Sequence, residues 1–282
     1  MDAVSLAEKA DDLYQKGKFD EALSFYDKAI ERDAKDATLC NRRGLALCRL
    51  GRHEEAILSF DAALKIDPHY LDAQNNKGVV FYKQKRYALA TVFFDAIIST
   101  DPSYVRAWYN KAVILNRLER YQEAVDYYDK ALELNPNGAR VWSNRGAALG
   151  NMGDYEAALD CFDRSIALQP KRCELWNNKG AALARLHRYD EAVEHFDRAL
   201  EIDPLNADAW VSRGEALRRL SRYEEAIEDI DRAIEIDAGH ARAWNSKGLA
   251  LMALGRDTEA DAAFARGAEI MLNEDEGERR ST

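Results

Sequence analysis

The sequence predicts an all-α protein built as an α-solenoid, in which short helical hairpins stack on one another along the chain. Two observations lead to this fold class. The stretch 105–138 aligns without a gap on 139–172, and the same 34-residue period extends over nearly all of the 282 residues. All five tryptophans occupy one position of the period, and all five prolines occupy another. A fixed period in this size range is the signature of a repeat architecture.

The period divides the chain into eight repeats and a short tail. The repeats are predicted at 3–36, 37–70, 71–104, 105–138, 139–172, 173–206, 207–240 and 241–274. Because such repeats contact mainly their neighbours, we expect them to form a single array over residues 1–274. The charged residues 275–282 are expected to form a disordered tail.

Each repeat contains two predicted helices. In the repeat 173–206, apolar and small residues recur every three or four positions from about Trp176 to Leu186, which is the spacing of one helix face. A second amphipathic segment ends at Asp203-Pro204, because proline disfavours helical backbone in the residue before it.

Two positions of the repeat are always small. Glycine inside a helix costs about 1 kcal/mol relative to alanine, so its recurrence predicts that the two helices of a repeat approach each other closely. The first-helix position holds Gly44, Gly78, Ala112, Gly146, Gly180, Gly214 and Gly248, and the second-helix position holds Ala22, Ala56, Ala90, Ala124, Ala158, Ala192, Ala226 and Ala260.

Composition and charge exclude several classes of protein. A net charge of −10 and a pI near 5.2 argue against general nucleic-acid binding. The apolar runs are too short to span a bilayer, and the first residues lack the pattern of a signal peptide. The four cysteines have no CxxC spacing and indicate reduced thiols. We therefore expect a cytoplasmic protein that binds neither nucleic acid nor membrane.

The order of the recurring residues resembles the tetratricopeptide repeat (TPR) family. The shared order along the 34-residue period is Trp, then Gly or Ala, then Ala, an aromatic residue and Pro, with Trp and Pro each present in five of the eight repeats, and the resemblance covers 3–274. It implies a right-handed superhelix of antiparallel helix–turn–helix units. It also implies that the first helices line a concave groove and the second helices form the convex face.

One position departs from the family pattern. Where leucine is usual before the small residue, seven repeats have Arg or Lys, and a second-helix position is Asp in seven repeats but Ala265 in the last. Since the last repeat has no successor, this pattern predicts ion pairs between successive repeats, worth about 0–1 kcal/mol each. The alternative is that these residues are solvated surface charges. The predicted pairs are Asp27–Arg43, Asp61–Lys77, Asp95–Lys111, Asp129–Arg145, Asp163–Lys179, Asp197–Arg213 and Asp231–Lys247.

The last repeat has no further helix predicted to cover it. Phe264, Ile270, Met271 and Leu272 either pack on the first helix of their own repeat or leave an apolar edge. The second alternative predicts a homo-oligomer, or a partner, at the C-terminal repeat.

Nothing in the sequence predicts catalysis, a metal site or a cofactor. The five histidines share no repeat position and have no Cys or carboxylate cluster at ligand spacing. No nucleophile elbow, phosphate-binding loop, dinucleotide fingerprint or zinc-protease motif occurs. We therefore expect a protein that is not an enzyme.

Asparagine recurs at one position of the predicted groove. The position holds Arg42, Asn76, Asn110, Asn144 and Asn178. An amide both donates and accepts, so such a ladder suits the backbone of an extended peptide of any sequence. It resembles the asparagine ladder in the TPR part of O-linked N-acetylglucosamine transferase. The alternative is that each asparagine bridges to the neighbouring repeat.

Basic residues are expected beside this ladder. The six predicted groove positions of repeats two to eight contain ten basic and four acidic residues, which favours an acidic ligand. The alternative explanation is that the helix dipole favours cations near helix ends. The candidate peptide-binding residues besides the ladder are Arg49, Lys83, Arg106, Arg117 and Arg140, with Tyr82 and Tyr109 as anchors.

These features predict a non-catalytic scaffold or adaptor that binds an extended, acidic segment of a protein partner in its groove. Two alternatives stay open from the sequence. The chain is a substrate-recruiting subunit of a separate enzyme, or it is a structural protein that assembles with itself.

Overall fold

The computed structural model describes residues 2–281, and it describes side chains through residue 273. Over residues 2–281 the chain forms sixteen helices and no strand. The first eight are α1 (Ala3–Gln15), α2 (Phe19–Arg32), α3 (Ala37–Arg49), α4 (His53–Ile66), α5 (Leu71–Lys83), α6 (Tyr87–Thr100), α7 (Val105–Arg117) and α8 (Tyr121–Leu134). The others are α9 (Ala139–Asn151), α10 (Tyr155–Leu168), α11 (Cys173–Arg185), α12 (Tyr189–Ile202), α13 (Ala207–Arg219), α14 (Tyr223–Ile236), α15 (Ala241–Ala253) and α16 (Asp257–Ser281).

Every predicted repeat contains one helical hairpin, and its first helix begins at the first residue of the repeat. The expectation that this helix begins near the tryptophan was wrong by three residues, as α11 begins at Cys173 and not at Trp176. Leu175, one residue before the tryptophan, already belongs to the buried face of α11, so the helix begins before Trp176. Trp176 Nε1 reaches back and donates to the carbonyl oxygen of Pro170 at 2.9 Å. Trp108 and Trp210 make the same bond to Pro102 and Pro204. In these repeats, a hydrogen bond therefore joins the tryptophan on the first helix to the turn that precedes that helix.

The second helices end where the sequence predicts. Asp203 caps α12 with extended backbone, at φ −134° and ψ 90°, as a residue before proline should. Asp67 and Asp101 do the same for α4 and α6.

The small residues mark the closest approach within each hairpin. A Cβ on Gly180 would lie 2.7 Å from the ring of Phe196, and one on Gly44 would lie 2.5 Å from the ring of Phe60. The aromatic ring of the second helix therefore occupies the space that a side chain of the first helix would need. The prediction of close packing at this position is confirmed.

The chain divides into two compact units, Met1–Pro136 and Asn137–Thr282. Unit 1 holds α1–α8 and unit 2 holds α9–α16. Within each unit, every second helix also contacts the first helix of the following repeat. Each unit is therefore a short α-solenoid of stacked hairpins. The expectation of a single array over residues 1–274 stays a prediction.

Six of the seven predicted ion pairs between repeats form. Arg43 Nε lies 2.6 Å from Asp27 Oδ1, and Lys179 Nζ lies 2.5 Å from Asp163 Oδ1. The others are Asp61–Lys77, Asp95–Lys111, Asp197–Arg213 and Asp231–Lys247. In each pair the Asp comes from a second helix and the base from the next first helix. The seventh, Asp129–Arg145, falls at the junction of the units and stays a prediction.

In the C-terminal repeat, some of the apolar residues pack on their own repeat and others are exposed, so each of the two alternatives holds in part. A Cβ on Gly248 would lie 2.5 Å from the ring of Phe264, so this ring packs on its own first helix, and Ile270 is buried. Met271 and Leu272 are 52% and 65% exposed. The predicted disordered tail, 275–282, falls on residues whose side chains lie outside the described part.

Candidate functional site

Each unit presents a face built from its first helices. In unit 1, α3 contacts α5 and α5 contacts α7, and in unit 2, α9, α11, α13 and α15 contact one another in succession. We call this surface the first-helix face of the unit. The predicted groove positions lie on these helices.

The first-helix face of unit 2 contains a cavity of about 740 Å³. Ala181 and Ala184 of α11 border it, at the positions where repeat 3 has Val79 and Tyr82. Since these alanines extend little from the helix, they leave space that larger side chains would fill. The cavity is also lined by four arginines, namely Arg185, Arg218, Arg219 and Arg242.

A second cavity of about 380 Å³ adjoins the first. The two share Tyr155, Ala181 and Arg185 as lining residues. Gly150 lines the smaller cavity at the same repeat position as Ala184, so the same loss of side-chain volume opens both. Together they form a continuous depression along α9, α11 and α13.

The larger cavity is cationic. Glu215 is the one carboxylate among the described residues that line it. Arg242 Nη2 lies 2.6 Å from Glu215 Oε2, and Ser246 Oγ donates to Glu215 Oε1 at 2.7 Å. Burial alone would raise the pKa of Glu215, but the bonds from Arg242 and Ser246 outweigh it and leave this pKa below its usual range. Among the described side chains, no carboxylate pairs with the other three arginines. They are Arg185, Arg218 and Arg219.

Two residues that line the larger cavity each have a buried polar atom without a hydrogen-bond partner in the described part of the chain. These atoms are Arg218 Nε, a donor, and Asn177 Oδ1, an acceptor. Buried polar groups are normally satisfied, so each unsatisfied one calls for an explanation.

Unit 1 shows why Asn177 is left without a donor. There Asn76 Nδ2 donates to Asn41 Oδ1 at 3.0 Å, and Asn110 Nδ2 donates to Asn75 Oδ1 at 2.8 Å. The residue that would make this bond to Asn177 is Ser212, which is too short to replace the longer amide.

The asparagine ladder is therefore partly engaged inside the protein. The amide nitrogens of Asn76 and Asn110 bridge to the preceding repeat, as the alternative interpretation of the ladder expects. Asn178 lines the smaller cavity of unit 2. Asn144 also has a partner.

Several of the predicted groove cations have partners in unit 1. Arg42 Nη1 lies 2.6 Å from Asp11 Oδ2, and Arg106 pairs with Asp72. Such pairs reduce the positive charge that this face offers to a ligand.

The other groove cations of unit 1 have neutral partners or none. Arg49 Nε donates to the hydroxyl of Tyr14 at 3.2 Å, and a hydrogen bond to Tyr82 raises the pKa of Arg117. Lys83 makes no hydrogen bond or ion pair within the described residues and is exposed. These three side chains keep their charge available.

The remaining predicted residues are the two tyrosine anchors and Arg140. Tyr82 packs against Tyr87 with ring centroids 5.8 Å apart, and Tyr109 packs against Tyr128 at 6.2 Å. Arg140 is exposed near the start of α9.

The sequence analysis counts Arg185, Arg218, Arg219 and Arg242 among the ten groove cations, but it does not select them as candidate binding residues. The signal that could have singled them out is the small side-chain volume beside them. Gly150, Ala181 and Ala184 are the small residues at groove positions, and the nearest cations are Arg185, Arg218 and Arg219.

Models of the tetratricopeptide repeat match most of the chain. The matched segments are 8–70, 60–104, 105–137, 127–160, 144–207, 186–241 and 241–270. The chain belongs to the tetratricopeptide repeat family. No curated protein matches this TPR chain significantly.

Solved structures agree on the fold of this TPR chain. A tetratricopeptide repeat protein from Parabacteroides merdae is 19% identical with a TM-score of 0.65, over 88% of this chain and 98% of that one. In the Cut9–Hcn1 hetero-tetramer of the APC/C, one chain is 20% identical with a TM-score of 0.67, over 95% of this chain and 53% of that one. PilF of Pseudomonas aeruginosa is 22% identical with a TM-score of 0.65, over 73% and 94%.

Two further findings concern other kinds of site. Among the described residues, no three His, Cys, Asp or Glu side chains are grouped so as to hold a metal ion. None of the helices in that part of the chain combines the length and the apolar character needed to cross a bilayer.

Proposed function

We propose that this protein is a non-catalytic scaffold or adaptor that binds an extended, acidic segment of a protein partner on the first-helix face. Membership of the TPR family supports a role in protein interaction. The observation that supports an acidic ligand is the cavity of unit 2, where Arg185, Arg218 and Arg219 have no carboxylate partner among the described side chains.

The cavity has the features of a site for side chains of an extended peptide. Residues of successive first helices line it, and it adjoins a second, smaller cavity. Two neighbouring side chains of a bound peptide would therefore each have a cavity to occupy. Asn177 lines this cavity and Asn178 lines the smaller one, and an amide can both donate to and accept from a peptide backbone. In unit 1, Arg49, Lys83 and Arg117 would attract the same kind of partner.

Binding of short degenerate peptides to the full chain tests this proposal. Fluorescence anisotropy should show tighter binding of Asp/Glu-rich peptides than of neutral ones. The double variant Arg185→Ala/Arg219→Ala should weaken that binding about tenfold or more, because two charge-assisted hydrogen bonds are lost.

A matched control removes two cations elsewhere in unit 2. Arg198 and Arg232 lie exposed on second helices, each paired with a glutamate of its own helix. Arg198→Ala/Arg232→Ala should leave affinity within about twofold. Equal losses in both double variants, or equal binding of acidic and neutral peptides, would refute an acidic site on this face.

Self-assembly is a second candidate, favoured by the apolar residues exposed on the last repeat. Leu249 and Met252 of α15 are exposed, as are Met271 and Leu272 of α16. Light scattering of the full chain should report a dimer or larger species that Met252→Glu/Met271→Glu returns to a monomer. A monomeric wild-type chain at high concentration would rule this candidate out.

A further inference from the structure

The cationic cavity of unit 2 holds more positive charge than one carboxylate balances. Glu215 forms an ion pair with Arg242 and also lies within the electrostatic influence of Arg218, so four arginines and one glutamate among the described lining residues leave an excess of three positive charges. A ligand Asp or Glu supplies one negative charge and two acceptor oxygens. A phosphomonoester supplies about −1.5 to −2 and three strong acceptor oxygens, which suits three guanidinium groups better.

The helix dipole does not account for all of these arginines. Arg185 and Arg219 are the last residues of α11 and α13, where the dipole favours a cation. Arg218 differs, because its Nε is buried and has no acceptor within the described part of the chain. A donor held away from water without an acceptor is unfavourable, and an anion in the cavity would remove that cost.

The cavity also offers an acceptor for the peptide that carries the anion. Asn177 Oδ1 is buried without a donor in the described part of the chain, and Ser212 occupies the repeat position at which unit 1 has an asparagine as donor. A backbone N–H beside the bound anion would satisfy it. One unsatisfied donor and one unsatisfied acceptor of the described part of the chain therefore belong to residues that line the same cavity.

We propose that this cavity recognises a phosphorylated side chain, with Arg185, Arg218 and Arg219 as ligands of the phosphate and Asn177 as acceptor for the adjacent backbone. This inference rests on the proposed binding of a peptide to the first-helix face. A phosphoprotein is favoured over a nucleic acid because a chain of net charge −10 repels an extended polyanion.

The test uses the full chain and degenerate peptide libraries that differ only at one central residue. That residue is phosphoserine, serine or glutamate, and further libraries carry phosphothreonine or phosphotyrosine. Anisotropy titrations should give at least about tenfold tighter binding for a phosphorylated library than for the glutamate library. The phosphothreonine and phosphotyrosine arms show which residue carries the phosphate.

Two variants locate the effect. Arg185→Ala/Arg219→Ala should reduce the preference for phosphate to within about twofold, and Arg198→Ala/Arg232→Ala should preserve it. Circular dichroism confirms that both fold, which separates lost recognition from lost structure.

The outcomes separate this inference from the proposed function. If the glutamate library binds as tightly as the phosphorylated ones, acidic peptide binding stands and phosphate recognition is overturned. If no library binds, both fail. If inorganic phosphate or a single-stranded oligonucleotide of equal charge competes as well as the phosphopeptide, the recognition of a phosphorylated peptide is overturned.

Discussion

At the scale of single residues, the turn between the two helices of a hairpin requires left-handed backbone. The position recurs every 34 residues, and it is glycine at Gly17, Gly51, Gly153 and Gly255. Lys85, Glu119, His187 and Ser221 occupy it with φ of 59° to 62°. A residue with a Cβ is strained there, so half of the hairpins carry a local cost that the others avoid.

Glu119→Gly should therefore raise the free energy of unfolding by about 0.5–1 kcal/mol, and Gly153→Ala should lower it by a similar amount. A Cβ on Gly153 would meet no atom within 4 Å, so the effect comes from the backbone alone. Urea denaturation measures both. Gly150→Ala is the control, since this glycine lies inside α9 without positive φ and should stabilise the protein. Loss of stability in Glu119→Gly would contradict the argument.

Two asparagines of the ladder should differ in their contribution to stability, because one of them is hydrogen-bonded inside the protein and the other lines a cavity. Asn110 donates to the buried Asn75, so Asn110→Ala leaves an unsatisfied buried oxygen and should cost about 1–2 kcal/mol of stability. Asn178 makes no such bond within the described residues, and Asn178→Ala should change stability by less than about 0.5 kcal/mol. Thermal unfolding of the two variants is the measurement. Equal costs would show that Asn178 also has a structural partner.

At the scale of helices, α13 and α15 are joined by the pair of Glu215 and Arg242. The pKa of Glu215 lies below its ordinary value of 4.5 in the folded protein. A lowered carboxylate pKa contributes stability that is complete above the unfolded pKa and is lost as pH falls through the folded pKa. Glu215→Gln should destabilise α15 by about 1 kcal/mol at pH 7, and the difference should shrink below pH 4.5.

Hydrogen exchange of the α15 amides, compared between wild type and Glu215→Gln at both pH values, measures this local stability. Glu269→Gln is the control, because the ion pair that Glu269 makes among the described side chains is with Arg266 of its own helix, and Glu269 is exposed. A difference that stays constant as pH falls would mean that ionisation of Glu215 does not hold the two helices together.

The ends of the second helices and the ion pairs were predictable because the repeats align without gaps, whereas the start of the first helix was misplaced by three residues. Ala265 in the last repeat was the informative exception, since it showed that Asp231 and its equivalents pair with the following repeat. The cavity was not predicted, because it depends on the space that the small side chains of Ala181 and Ala184 leave between neighbouring helices. Nor was the pairing of Arg106 with Asp72, which depends on side-chain reach between two residues of the same repeat position.

At the scale of the whole molecule, the cationic cavity belongs to a chain of net charge −10. The net charge repels an acidic ligand at long range, while the arginines attract it at short range. The Debye length is about 10 Å at 0.1 M salt, so salt screens the distant repulsion more completely than the contacts inside the cavity.

Association and dissociation of an acidic peptide should therefore respond differently to salt. Raising ionic strength should change the association rate, because it screens the long-range field of the net charge, and should change the dissociation rate by less than about threefold, because the contacts with Arg185 and Arg219 lie inside the cavity. Stopped-flow anisotropy resolves the two rates. In Arg185→Ala/Arg219→Ala the dissociation rate should rise by about tenfold at every salt concentration, because these short-range contacts are lost. An unchanged dissociation rate in that variant would place the binding energy outside this cavity.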